Sequence, residues 1–313
     1  MEFAALDLDG AGVIAKPRTW CAVFALALFF FSPPSVVRAQ AASPVLVGAG
    51  DIARCSRSQP EATAKLLDGI EGTVFTAGDN AYPTGTRADF LNCYDPTWGR
   101  HLERTRPSPG NHEYDVAGAA PYFEYFRENA GPPGRGYYSY KLGAWHILSL
   151  NSNTNAKSWG AAQEQWLVED LKANAAACTL AYWHHPRFSS GEKYGDNPHM
   201  ANIFRILYDH GADVVVAAHD HMYERFAPQD PAGKADPLGI RQFIAGTGGA
   251  RLYGIGTIKA NSEVRNNTAH GVLKFTLHAT SYDWEFIPIP ARWFAPWRSF
   301  RDSGTGQCSV VKG

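Results

Sequence analysis

Five short stretches carry oxygen and nitrogen donors of the kind that hold cations: Asp51 in "GAGDIA", Asp79 and Tyr82 in "GDNAY", Asn111 and His112 in "GNHEY", His184 and His185 in "HHPRFSS", and His219 and His221 in "AHDHMYERF". Taken singly, each has an ordinary structural explanation, because Gly, Asp and Asn are favoured in tight turns. The "HDH" stretch says more, since residues at i and i+2 on a strand face the same way. Together, donors without any thiolate describe a cage for first-row cations, and a phenolate suits a hard, highly charged ion such as Fe(III). Tyr82 must ionise below its ordinary range to serve, which a directly bound cation brings about. Two cations sharing one carboxylate can hold a hydroxide as nucleophile and polarise a phosphoryl oxygen. The chemistry that fits such a cage is hydrolysis of phosphate esters.

Donors so far apart in sequence need a scaffold that brings them together. From Pro44 the chain alternates strand-like apolar runs with amphipathic segments, the pattern of an α/β sheet. "VLVGAGD", "TVFTAGD", "TLAYWHHP" and "ADVVVAAHDH" read as strands, and "GYYSYKLGAWHILSLNSN" as a hairpin. "PEATAKLLDGI" with its stop at Gly69, "AAQEQWLVEDLKANAAA" with Trp166, Leu167 and Leu171 on one face, and "HMANIFRILYDHG" closed by Gly211 read as helices. "RADFLNCYDPTWGRHLERT" is expected to be helical around Cys93, and "RTRPSPGNHEY" to be extended or a loop. Each donor group then falls at a strand or turn end, and the carboxyl ends of parallel strands share one ligand-binding edge. Beyond a loop at 228–239, "IRQFIAGTGG", "HGVLKFTLHA" and "SYDWEFIPI" are strands without intervening helices. They predict an antiparallel second sheet packed against the first.

The 313 residues carry a formal net charge of −1 with no block of like charge, which leaves no electrostatic footprint for nucleic acid or a membrane surface. Lys16 and Arg18 precede "WCAVFALALFFF" and then "SPPSVVRAQAASP", the layout of a secretory signal peptide cleaved after Ala39 or Ala41. Its apolar core is short for a membrane span, so the mature chain is expected to carry no membrane anchor and to be exported, either periplasmic or secreted. Export leaves Cys55, Cys93, Cys178 and Cys308 in an oxidising compartment, where an even number reads as two disulfides. Three pairings are open, and loop economy favours Cys55 with Cys93 and Cys178 with Cys308. A cysteine metal site would need CxxC-type spacing, which is absent.

The order GD, GDxxY, GNHE, HxP and HxHxxER resembles that of the purple acid phosphatases within the calcineurin-like metallophosphoesterases, over residues 45–226, with "QFIAGTGGARLY" similar as well. The resemblance implies a four-layer α/β/β/α sandwich of two mixed sheets. It implies one catalytic domain at 42–313, its core motifs at 45–226 and a β-rich part at 240–313. It further implies that Asp51, Asp79, Tyr82 and His221 bind a first metal, and that Asp79, as the bridge, binds a second with Asn111, His184 and His219. The implied pair is Fe(III) with Fe(II), Zn(II) or Mn(II). His112 resembles a substrate-contacting or supporting histidine, and His199 falls where the family carries further substrate histidines. His185 is either a contact or a packed neighbour, and Glu224 and Arg225 are expected to stabilise their loop.

Two departures are visible. The generic pattern has a histidine where Ala53 stands, a ligand that the tyrosine of GDxxY replaces in the purple subfamily. The usual glycine before HxH is Ala218, which is tolerable if the backbone there needs no positive φ. Because the catalytic motifs begin soon after the expected cleavage point, a compact version without the extra amino-terminal β domain of large plant members is expected. The implied activity is that of an exported acid phosphatase acting on small phosphomonoesters by attack of a metal-bound hydroxide. The alternatives are a phosphodiesterase or nucleotide hydrolase on the same cage, and a non-catalytic metal-binding protein of the cell envelope.

Overall fold

The computed structural model describes residues 14–17, 19–20, 42–153, 159–290 and 300–309. Contacts divide the chain into residues 1–41 and 42–313; the expected signal segment falls almost wholly outside the described residues. Among the described residues no helix is long and apolar enough to cross a membrane.

Strands with apolar side chains on both faces must be covered on both faces, and that requirement builds the architecture. In the first sheet, β1 (Val45–Ala49), β2 (Thr73–Ala77) and β3 (Thr105–Ser108) run parallel. In the second, β4 (Tyr138–Leu142) pairs antiparallel with β5 (Trp145–Ser149), and β5, β6 (Cys178–Tyr182) and β7 (Val214–Ala217) run parallel. Leu46, Phe75, Leu180, Tyr182, Val214 and Val216 meet in one core between the sheets. Val47 and Val74 turn instead toward Ala64 and Leu67 of α1 (Gln59–Asp68) and Tyr122 and Phe126 of α3 (Ala120–Phe126). On the other side Ala181 and Val215 meet Leu167 and Leu171 of α4 (Trp159–Ala173) and Phe204 and Leu207 of α5 (Ala201–Asp209). The result is the four-layer α/β/β/α sandwich of two mixed sheets.

The carboxy-terminal strands are distributed differently from the sequence expectation. They form no separate antiparallel sheet. β9 (Arg241–Ala245) joins the second sheet parallel to β7, flanked by β8 (Tyr223–Phe226) and β10 (Ser262–Asn266). β11 (Gly271–Leu277), β12 (Ser281–Pro288) and β13 (Asp302–Gln307) extend the first sheet from the free side of β1. The reason is burial: Phe243 faces the inter-sheet core while Ile244 faces the helices, and Leu273 and Val272 split the same way. Such strands are stable only inside a covered sheet.

The segment around Cys93 is also less regular than one helix. Only α2 (Arg87–Asp89) is α-helical, started by a capping box between Thr86 and Asp89. It passes into a wide turn at 90–94 and a 3-10 stretch at 98–104. Pro96 donates no N–H to continue the run, and the backbone leaves helical geometry at Thr97, after Asp95 has kept it.

The structure pairs Cys55 with Cys93 and Cys178 with Cys308, with Cα separations of 4.7 and 5.4 Å. The second bond fastens β6 of one sheet to the residue after β13 of the other, closing a sequence separation of 130. Loop-entropy reasoning assigns such a closure about 4–5 kcal/mol. The Cys178→Ala, Cys308→Ala double variant is therefore expected to lose stability on that order in urea unfolding, and an unchanged midpoint would contradict it.

Candidate metal centre

The donors emerge from strand ends of both sheets. Asp51 follows β1, Asp79 and Tyr82 follow β2, and Asn111 follows β3; His184 follows β6, and His219 and His221 follow β7. The edge at which they meet is therefore the crevice between two sheets, where a single sheet edge was the simpler expectation. Asp51, Asp79 and His219 have φ of 58, 50 and 67°, a left-handed conformation that costs a non-glycine residue about 1–3 kcal/mol. The bend throws each side chain into the crevice as its strand ends. Backbone bonds lock it there, among them Asp51 N–H to Gly78 O (3.1 Å) and Ile52 N–H to Asp79 O (2.9 Å). Ala218 has no positive φ, and its methyl group fits because Gly50 opposite has none; a Cβ on Gly50 would lie 2.4 Å from it.

Two donor groups share Asp79. On one side the Tyr82 hydroxyl lies 2.9 Å from Asp51 Oδ1, 3.0 Å from Asp79 Oδ2 and 3.2 Å from His221 Nε2. On the other, His184 Nε2 lies 3.3 Å from the same Asp79 Oδ2, 3.1 Å from Asn111 Oδ1 and 3.1 Å from His219 Nδ1. His184 Nδ1 is 2.8 Å from Ala77 O and His221 Nδ1 2.6 Å from Arg251 O. Donation of these N–H groups to carbonyls leaves each Nε2 lone pair facing the crevice, the usual way of presenting an imidazole to a metal. All seven residues assigned to metals from the sequence thus lie in one crevice.

The residues present fit a pair of cations. Asp51 and Asp79 are buried, and among the described residues their ion-pair partners are histidines, with no lysine or arginine. Buried carboxylates are costly unless compensated, and two oxygen-rich faces around one carboxylate offer that compensation to metal ions. The site's own electrostatics agree. Burial, reinforced by Asp51 and Asp79, pushes the Tyr82 phenol well above its ordinary range. Burial works against a charged His184, but the Asp79 carboxylate outweighs it and lifts His184 to about 9. His219 is driven down by burial and by His184. Cations entering here would displace protons from Tyr82 and His184, so uptake is expected to be steeply pH-dependent.

Several contributors carry no signal that singled them out in the sequence. Glu113, the last residue of "GNHE", is buried and accepts N–H bonds from Asp79 (3.0 Å), Asn80 (2.8 Å), Ala81 (3.3 Å) and Gly110 (2.6 Å). One carboxylate thereby fixes the loop after β2 to the loop after β3; burial and Asp79 lift it to about 7. Asp220, between the two histidines of "HDH", accepts from the Ser189 hydroxyl and the N–H of Gly195 and Tyr194. Tyr253 stacks on His221 and Tyr194 on His219, each at 3.9 Å. Where the generic pattern has histidine, Ala53 pairs with Ala81, and its carbonyl accepts the Tyr82 N–H at 2.8 Å.

The remaining sequence candidates divide. His112 donates its backbone N–H to Asp79 Oδ1 (2.9 Å), and its ring lies 4.6 Å from the Tyr82 ring with Nε2 3.7 Å from Asp79 Oδ2. His199 is exposed on a 3-10 turn, its backbone N–H held by Asn197, within electrostatic reach of His185. Asn80 is a buried turn former whose amide donates to Ser108 O. Glu224 accepts the Ser190 N–H, and Arg225 pairs with Asp302.

Two covered sheets that converge strand-end carboxylates, imidazoles and a phenol on one crevice define a metallophosphoesterase scaffold. Residues 46–223 match the family described as calcineurin-like phosphoesterase, and the chain belongs to that family. It is 30% identical over 222 residues to purple acid phosphatase 15 of Arabidopsis thaliana, covering 59% of this chain and 41% of that one. It is 30% identical over 230 residues to purple acid phosphatase 21 of the same plant (65% and 49%) and 27% identical over 218 residues to human acid phosphatase type 7 (59% and 48%). The chain spans less than half the length of each of these relatives. In fold it is similar to purple acid phosphatase PPD1 of yellow lupin, with a TM-score of 0.67 at 17% identity over 85% of this chain and 54% of that one. It is also similar to GAP50 of Plasmodium, with a TM-score of 0.62 at 12% identity over 87% and 90%.

Glu113→Ala strips the acceptor from four buried backbone N–H groups, each costing about 1–3 kcal/mol when unsatisfied. The variant is expected to unfold at lower urea and to bind zinc at least 10-fold more weakly; wild-type behaviour in both titrations would refute the clamp.

Proposed function

We propose that the protein is an exported dinuclear metallophosphoesterase that hydrolyses small phosphate monoesters. The observation that carries the proposal is Asp79 Oδ2, 3.0 Å from the Tyr82 hydroxyl and 3.3 Å from His184 Nε2, a single oxygen facing both donor groups. Asp51, Tyr82 and His221 would complete a first, oxygen-rich position, and Asn111, His184 and His219 a second. Fe(III) suits the first position, where Tyr82 can serve as phenolate. When bound, the two cations supply Lewis acidity toward a phosphoryl oxygen and an activated water nucleophile.

The chain's own residues then do the rest. Asp79 holds the two positions together, and Glu113 holds Asp79. Ala77 and Arg251 carbonyls orient the imidazoles of His184 and His221. His112, next to Asp79 and Tyr82 and partly open to solvent, is placed to donate a proton to the departing oxygen. His199 is proposed as an outer substrate contact. Two disulfides and the amino-terminal apolar run support export, and residues 42–313 are proposed as the catalytic domain.

The test is a comparison of purified protein on an aryl monophosphate and on a bis-aryl phosphate. The monoester is expected to be the better substrate, with Asp79→Ala at least 1000-fold slower; a large preference for the diester would move the assignment to a phosphodiesterase. Iron-loaded protein is expected to show a visible charge-transfer band that disappears in Tyr82→Phe. A band that survives this change removes Tyr82 from the first position.

A further inference from the structure

We propose that His185 is a fourth protein donor beyond Asp79 to the second metal position, making that position a three-imidazole site selective for zinc. The proposal rests on the dinuclear reading above and narrows it to one cation. His184, His185 and His219 each offer a ligand atom within 4.8 Å of the other two. The ring of His185 lies 4.3 Å from that of His219 and 4.9 Å from that of His184. Two zinc-bound nitrogens sit at most about 4.2 Å apart, so the three imidazoles would have to draw together to share one ion.

The backbone and the ring of His185 are both held for this. Its N–H donates to Ser152 Oγ at 2.9 Å, and its carbonyl accepts the Trp183 indole N–H at 2.7 Å. Its Nδ1 lies 2.8 Å from the same Ser152 Oγ, and Ser152 is buried. The Ser152 hydroxyl can accept from Nδ1–H, and in that tautomer Nε2 keeps its lone pair, the arrangement that carbonyls impose on His184 and His221. Unlike Ala77 O, the Ser152 hydroxyl can also donate to Nδ1, so a cation at Nε2 would select its accepting orientation.

The chemical consequence is an asymmetry between the two positions. The first has two carboxylates, a phenol and one imidazole; the second has one shared carboxylate, one amide oxygen and three imidazoles. Imidazole donors favour zinc over manganese, both by donor type and by the intrinsic affinity order of the divalent ions. His185 is what turns the second set from mixed to nitrogen-rich.

The experiment is a titration of metal-stripped full chain with zinc and with manganese against a chromophoric chelator, for wild type, His185→Ala and Ser152→Ala. Wild type is expected to bind two zinc ions. His185→Ala is expected to lose at least 10-fold in affinity for the weaker ion and to lower the zinc-to-manganese affinity ratio by a similar factor. Ser152→Ala, which leaves the imidazole in place, is expected to shift both in the same direction by a smaller factor. Ser152→Ala also strips the acceptor from the His185 N–H and is expected to lower the metal-free thermal midpoint, whereas His185→Ala keeps that bond and is expected to leave the midpoint unchanged, separating ligation from folding. Unchanged zinc affinity in both variants overturns the proposal, including the case in which phosphatase activity falls while affinity does not, which makes His185 a substrate contact. A wild type that hydrolyses no phosphoester refutes the proposed activity and leaves the zinc titration to be read on its own.

Discussion

The carboxylate of Asp79 sits where no carboxylate is stable uncompensated: buried, beside a second buried carboxylate at Asp51, with His184, His112 and the Tyr82 phenol as the side chains that pair with it among the described residues. Everything around it reads as compensation. Its Oδ1 takes the His112 N–H, its own N–H goes to Glu113, and its Oδ2 is divided between Tyr82 and His184. A backbone twisted to φ of 50° is tolerated because that twist alone turns the side chain into the crevice. Gly110 has no side chain because a Cβ there would press to 2.1 Å from Asp79 Oδ1. The fold supplies a strained, buried, half-neutralised acid, and the proposed cations supply the charge that it lacks.

That constraint explains why two sheets are needed. The first sheet brings the carboxylates, the phenol and the amide; the second brings the imidazoles. Their separation is set by the apolar core of Phe75, Leu180, Tyr182, Val216 and Phe243. Side chains in a close-packed core cannot shift independently, so the spacing of the donor groups is inherited from residues that touch none of them. The Cys178–Cys308 bond adds a covalent tie between the same two sheets at the far end of β6.

The rim is built on a different principle. Tyr253 and Tyr194 cover the outer faces of His221 and His219, and the Lys193 ammonium lies 4.1 and 4.7 Å from the two ring centres. These rings restrict the imidazoles and leave a polar, aromatic mouth above the crevice. Belonging to the calcineurin-like phosphoesterases explains the crevice.

The sequence by itself determined the candidate donors. Asp51, Asp79, Tyr82, Asn111, His184, His219 and His221 are legible because each follows an apolar strand run, and their order matches one family pattern. The α/β class, the hairpin at 136–153 and the helices ended by Gly69 and Gly211 are legible for the same reason: periodicity and turn chemistry are local. Only the tertiary structure decided which sheet each strand joins, since a run buried on both faces looks alike in either sheet. That is why the sequence reads the carboxy-terminal strands as a separate sheet, whereas the structure divides them between two sheets with the crevice between. Glu113 and Ser152 stayed silent for a related reason. A buried carboxylate or hydroxyl declares its role only through the N–H groups and the imidazole that folding places around it.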